Sequence, residues 1–120
     1  MGIKTREHTI QTKVVQYVRT FYPNVVICSI PNGSGTTPFN RLALHNEGLL
    51  AGMPDLFIAQ AAHGFNGMFI EMKTTAGVES KEQKNIRKRL NDKGYLVFVA
   101  TSEKMAIGLI KKYLLKSDKL

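Results

Sequence analysis

Gly52-Met53-Pro54-Asp55-Leu56-Phe57-Ile58-Ala59 and Met68-Phe69-Ile70-Glu71-Met72-Lys73 are the two runs whose reading decides the fold. Both are apolar and carry β-branched or aromatic residues, the composition of strands buried in a sheet. The segment between them, Gln60 to Gly67, contains two glycines and is too short for a crossover helix. The runs Asp55–Ala59 and Met68–Lys73 are therefore expected to pair antiparallel as a hairpin. A hairpin centred near His63 sets Asp55 opposite Glu71. Residues two apart in a strand share a face, so Lys73 joins Glu71 while Met72 turns away. Two carboxylates and an ammonium thus converge on one side of one sheet.

Outward from the hairpin, Ile10, Val14, Tyr17 or Val18 and Phe21 recur at helical spacing and predict a helix from Thr5 to Phe21. Tyr22-Pro23-Asn24 ends it, and Val25 to Ile30 reads as a buried strand. Pro31 to Pro38 is the one loop rich in breakers, followed by a short helix from Phe39 to Glu47 closed by Gly48. Beyond the hairpin, a helix is expected from Ser80 to Lys93, ending at Gly94, and a strand from Tyr95 to Ala100. A last helix runs from Glu103 to Lys116 with Ser102 as N-cap. The order α-β-α-β-β-α-β-α implies an α/β architecture: one domain over residues 1–120, with a small mixed sheet flanked by helices.

Seventeen Lys and Arg against nine Asp and Glu leave a net charge of +8 on 120 residues. A surface this small and this basic favours polyanions, nucleic acid before an acidic small molecule. Cys28 is the single cysteine, which excludes an internal disulfide. Within Val25-Val26-Ile27-Cys28 it reads as a small buried hydrophobe. The N-terminus is polar and leads straight into the helix pattern, unlike a signal peptide. No apolar stretch approaches the ~18 residues of a membrane span. The expectation is a soluble, intracellular, cytoplasmic protein without a membrane partner.

Like charges placed directly opposite each other cost stability. Asp55 facing Glu71 is an odd arrangement unless a cation sits between them, and two hard carboxylates suit Mg²⁺, which also takes up substrate phosphate. Such an ion lowers the pKa of a bound water and polarises a phosphoryl oxygen, and a neighbouring lysine offsets developing charge. These are the parts that phosphodiester hydrolysis requires. Taken singly, each part has a plainer reading: Asp55 capping a strand, or Glu71 and Lys73 as an exposed charge pair. Their combination in a hairpin buried by Leu56, Ile58, Phe69 and Ile70 favours the chemical one, since lone charges are expensive there.

Glu7 and Gln11 extend the stripe of Val14 and Val18, so Glu7 can reach a metal site from the first helix; dipole compensation is the alternative. Ser80-Lys81-Glu82-Gln83 fits a capping box, which competes with a site role for Gln83. Lys84, Arg87, Lys88 and Arg89 form a basic helix face suited to phosphate contact, and Arg41 and Asn32 could serve similarly. Asn32-Gly33-Ser34-Gly35-Thr36-Thr37 lacks the lysine of a P-loop and the third glycine of a dinucleotide loop. His8, His45 and His63 are dispersed and no CxxC is present, so neither a zinc site nor a zinc deaminase is supported.

Gly52-Met53-Pro54-Asp55-Leu56, then Glu71-Met72-Lys73, then Gln83, resembles the PD-(D/E)xK nuclease pattern, specifically its VRR-NUC branch. Glu7 with Gln11 on the first helix, and Pro31-Asn32-Gly33 after the first strand, are similar to that branch as well. The resemblance covers nearly the whole chain. It implies a restriction-endonuclease-like core and Mg²⁺- or Mn²⁺-dependent cleavage of DNA. Asp55, Glu71 and the Met72 carbonyl would hold the metal, Lys73 would handle the nucleophilic water, and Glu7 would be a further ligand or support one. Stand-alone members resemble homodimers that cut branched DNA such as four-way (Holliday) junctions. Two other readings stay open: a sequence-specific or nonspecific nuclease on linear DNA, and a non-catalytic basic nucleic-acid-binding module.

Overall fold

Alternation along the strands decides which side chains meet which layer of the molecule. The computed structural model describes residues 3–33, 35–74 and 77–115. Its elements are α1 (Ile3–Phe21), β1 (Ile27–Ser29), α2 (Pro38–Asn46), β2 (Leu56–Ile58), β3 (Gly67–Met72), α3 (Lys81–Asp92), β4 (Tyr95–Ala100) and α4 (Glu103–Leu114). The sheet order is β1-β2-β3-β4. The first three strands are antiparallel, and β4 lies parallel to β3 across the α3 connection. The pairs Leu56–Ile70, Phe57–Phe69 and Ile58–Met68 reproduce the register expected from the hairpin.

The two short strands end earlier than expected. β1 occupies only the middle of Val25–Ile30, although single bonds continue the ladder: Ile30 N–H to the Asp55 carbonyl at 2.8 Å and Ala59 N–H to the Val26 carbonyl at 2.9 Å. Pro31 and Pro54 follow at the cleft end of this pair, and neither can donate to a ladder. Ser34 in the expected loop, and Lys116 at the expected end of the last helix, lie outside the described residues.

One face of the sheet carries Ile27, Leu56, Ile58, Met68, Ile70 and Met72, which pack with Val14 and Val18 of α1 and Ala106, Ile110 and Tyr113 of α4. The opposite face carries Phe57, Phe69 and Tyr95, with Phe57 and Phe69 stacked at 4.5 Å between ring centres. Residues alternate between these faces, so Asp55, Glu71 and Lys73 fall on the aromatic side. Alternation also corrects the expectation for Cys28, which is exposed. Its neighbour Ile27 takes the covered face, whereas Cys28 points to the other side of an edge strand; α3 lies over β4, at the far edge.

The turn end of the hairpin is fastened to two helices. His63 is the only non-glycine described residue with positive φ, at 53°. Its Nε2–H donates to the Tyr113 carbonyl at 3.0 Å, a direction fixed because a carbonyl only accepts. The Tyr113 hydroxyl donates to the Gln60 carbonyl. Asn66 Nδ2 donates to the Lys93 carbonyl at 2.8 Å, just after α3.

At the other end, Gly52 brings the loop before β2 against α3. Its φ is +93°, and a Cβ there would lie 2.5 Å from the Glu82 carbonyl oxygen. Gly108, inside α4, has open space around the same position. Urea unfolding should therefore separate the two: Gly52→Ala destabilises by ~2 kcal/mol or more, whereas Gly108→Ala stabilises by about 0.5–1 kcal/mol.

Candidate active site

The site forms where β2 and β3 leave the sheet. Asp55 immediately precedes β2, and its Oδ2 accepts the Met72 amide hydrogen at 2.7 Å. That bond fixes the carboxylate beside Glu71, so the strand-capping role of Asp55 and its place in the site are one geometry. Glu71 is 6% exposed. Lys73 Nζ lies 3.9 Å from Glu71 Oε2, and the lysine side chain is itself largely covered.

Burial, chiefly, pushes the Glu71 carboxyl up to about 8; the Asp55 charge and a hydrogen bond to Asp55 add to the rise. Lys73 pulls in the opposite direction without overcoming them, and Glu7 adds a smaller push upward. A cationic centre between Asp55 and Glu71 would offset both the cost of burying the charge and the repulsion between the two carboxylates. Among the described residues, no three His, Cys, Asp or Glu side chains converge as a cation cage. A hard ion here would thus complete its shell with backbone or water oxygens, as Mg²⁺ ordinarily does.

A cleft of about 360 Å³ opens in front of the pair, lined by Asp55, Glu71 and Lys73, by Glu7 from α1, by Asn32 from the loop after β1, and by Ser80 and Gln83 at the start of α3. The α1 stripe runs as its spacing predicted: Val14 and Val18 are fully buried, and Gln11 and Glu7 are half-buried as the helix reaches past the sheet. Glu7 enters the cleft wall and Gln11 does not. Gln83 combines the cap with a place at the cleft. Its Oε1 accepts the Ser80 amide hydrogen at 2.8 Å, completing the capping box, while the residue borders the cleft.

Arg41 lies outside the cleft wall, its stem beside Gly33 and hence next to Asn32. Lys84 and Lys88 are exposed on α3. Arg87 is turned toward Glu79, Nε and Nη2 meeting Oε2 and Oε1 at 2.9 and 2.8 Å. The sequence reading missed Glu79 and the cleft-lining Glu82. The fit of Gly52 against the Glu82 carbonyl brings the latter in, a contact with no periodic signature.

The model of the VRR-NUC domain matches residues 6–104, a span that includes Glu7, Asp55, Glu71, Lys73 and Gln83. The chain belongs to the VRR-NUC family. A solved structure described as a VRR_NUC domain protein has a TM-score of 0.71 to this one, covering 90% of this chain and 87% of that chain at 23% identity. The likeness places the small mixed sheet and its helices in the restriction-endonuclease-like class of VRR-NUC folds. No curated protein matches the sequence. Family membership makes this VRR-NUC domain nuclease-type, with DNA as its substrate class. No helix among the described residues is long and apolar enough to cross a membrane.

The raised Glu71 carboxyl has a consequence for stability. The folded protein holds a proton there that the unfolded chain releases near 4.5, so this contribution is present below about pH 4.5 and is lost as pH rises to about 8. Within that window the loss approaches ~1.4 kcal/mol per pH unit in the absence of divalent cations. Thermal melts in EDTA should show the midpoint falling from pH 5 to pH 8, and Glu71→Gln should flatten the fall. An unchanged slope in that variant would assign the proton elsewhere.

Proposed function

We propose that the protein is a metal-dependent endodeoxyribonuclease that cleaves phosphodiester bonds in branched DNA such as four-way junctions and works as a homodimer. The observation that carries the catalytic reading is buried Glu71 beside half-buried Asp55, with Lys73 at 3.9 Å from Glu71, facing one cleft in a strongly basic chain. A pair of opposed, desolvated carboxylates is a poor surface for binding phosphate unless a cation is recruited.

Asp55, Glu71 and the Met72 carbonyl are the groups that would hold Mg²⁺ or Mn²⁺, with Glu7 supporting them from the cleft wall. Bound there, the ion supplies a water of lowered pKa and positive charge against a phosphoryl oxygen. The chain's own residues do the rest. Lys73 orients the attacking water and offsets the negative charge that grows on phosphorus oxygens as the new P–O bond forms and the ester bond breaks. Asp55 is held still by the Met72 amide, which keeps the carboxylate geometry constant between substrate and transition state. Gln83 and Asn32, both lining the cleft, would contact DNA or the attacking water, and Gln11 would support Glu7 from one turn along the same helix. Arg41, Lys84 and Lys88 supply phosphate contacts outside the cleft, whereas Arg87 is held by Glu79.

The dimer rests on α2. None of its residues is buried, and Phe39 and Leu42 are 80% and 61% exposed. A helix of nine residues is below the ~12–15 needed to stand alone in water, so its apolar side calls for a cover. Arg41 is the only Lys or Arg on it, which makes α2 a surface where two copies of a +8 chain can meet with little repulsion. A twofold contact there would give two cleavage centres to one branched substrate.

Labelled junction, flap and linear duplex, each incubated with Mg²⁺ or EDTA, test the catalytic part. Junctions are cut in Mg²⁺ only, and Asp55→Ala or Lys73→Ala lowers the single-turnover rate ~10²-fold or more. Equal cutting of linear duplex removes branch selectivity, and metal-independent binding without cleavage removes the enzyme. Sedimentation addresses the assembly: Phe39→Glu with Leu42→Glu turns a dimer into a monomer, and a wild-type monomer at micromolar concentration refutes it.

A further inference from the structure

Beyond the cleft residues, an ion pair on the turn that follows Lys73 has no place in the reading above. Glu79 and Arg87 meet through two parallel bonds, 2.9 and 2.8 Å, the fork geometry that makes arginine–carboxylate pairs directional. The Glu79 carboxylate is only 15% exposed. Arg87 sits one helical turn beyond the cleft-lining Gln83, and Glu79 immediately precedes the cleft-lining Ser80. Before Glu79, the chain folds back: the Gly77 amide donates to the Thr74 carbonyl at 2.9 Å. A Cβ on Gly77 would lie 3.2 Å from Lys73 Cδ and 3.6 Å from its Cβ. The backbone at Gly77 therefore rests on the lysine's methylene stem, and a lysine side chain that ordinarily extends into water is 18% exposed.

We infer that Glu79 and Arg87 are positioning residues: their fork holds the backbone at Gly77 against the Lys73 stem and thereby fixes the ammonium beside Glu71. Unheld, a four-carbon stem samples many rotamers, and a displacement of one ångström at the ammonium matters to any chemistry it performs. Glu79 is ionised well below the ordinary range, chiefly through its bonds to Arg87, with Lys84 and Lys73 contributing, so the fork persists across neutral pH. The catalytic consequence rests on the nuclease reading, whereas the effect on Lys73 does not.

The test compares wild type with Glu79→Gln, Arg87→Gln, Gly77→Ala and the exchanged pair Glu79→Arg with Arg87→Glu, each first checked for a cooperative melt. Without DNA or metal, acetylation by an amine-reactive ester is followed at Lys73 by peptide mass spectrometry, with exposed Lys104 as reference. Lys73 should react roughly fivefold faster in the two single charge variants and in Gly77→Ala, which leaves the ion pair intact, and return toward wild type in the exchanged pair. Unchanged labelling overturns the inference, whether or not the protein cuts DNA. Where wild type does cut, the charge variants should lose roughly tenfold in single-turnover rate at saturating DNA, with affinity and its salt dependence unchanged. If Arg87→Gln alone weakens binding and lowers the salt slope by about one, the arginine contacts phosphate directly and the positioning role is refuted. Faster labelling with an unaltered rate refutes it as well. Absence of cleavage by wild type would count against the nuclease reading only, with the labelling still deciding the ion pair's role.

Discussion

The hydrogen bond from the Met72 amide to Asp55 Oδ2 closes the β2–β3 hairpin at the point where proline ends the neighbouring ladder. Much of the local chemistry depends on it. The bond draws a carboxylate toward the strand that carries a second one, and burial then leaves Glu71 holding a proton near neutrality. The like-charge cost is stored in a sheet whose reverse face is the main hydrophobic core, with Leu56, Ile70 and Met72 fully or almost fully buried behind the site. A core that close-packed cannot shift to relieve the carboxylates, which is why a cation or a proton must do so.

Around this pair, secondary structure performs tasks that a loop could not. Period-two alternation puts Glu71 and Lys73 on one side while Met72 anchors the other. The α1 stripe grades from fully buried Val18 and Val14 to half-buried Gln11 and Glu7, carrying a carboxylate past the end of the sheet. At the start of α3 a capping box serves the helix and lines the cleft with the same glutamine.

The hairpin was legible in the residues because its two apolar runs and short connection admit one pairing, and the register followed. Glu7 was legible through helical spacing. The exposure of Cys28 was not, since the composition of an apolar run says nothing about which side of a three-residue edge strand is covered. Asp55 and Gln83 each had two readings in the sequence, a local cap or a site residue; the structure shows the caps and sets both residues in the wall of the cleft, because a cap at the mouth of a sheet also borders the opening there. Glu79 with Arg87 lay beyond reach for a different reason. Their meeting joins a residue before α3 to one inside it, eight positions apart, and no periodic pattern encodes that contact.

The fastening of the hairpin's turn gives the molecule a mechanical polarity. His63, Gln60 and Asn66 tie that end to Tyr113 and to the residues just after α3, while the carboxylate end is bounded by the loop through Gly52 and the turn through Gly77. Anchorage and opening therefore lie at opposite ends of one hairpin, so whatever enters the cleft meets strands already held in register from behind.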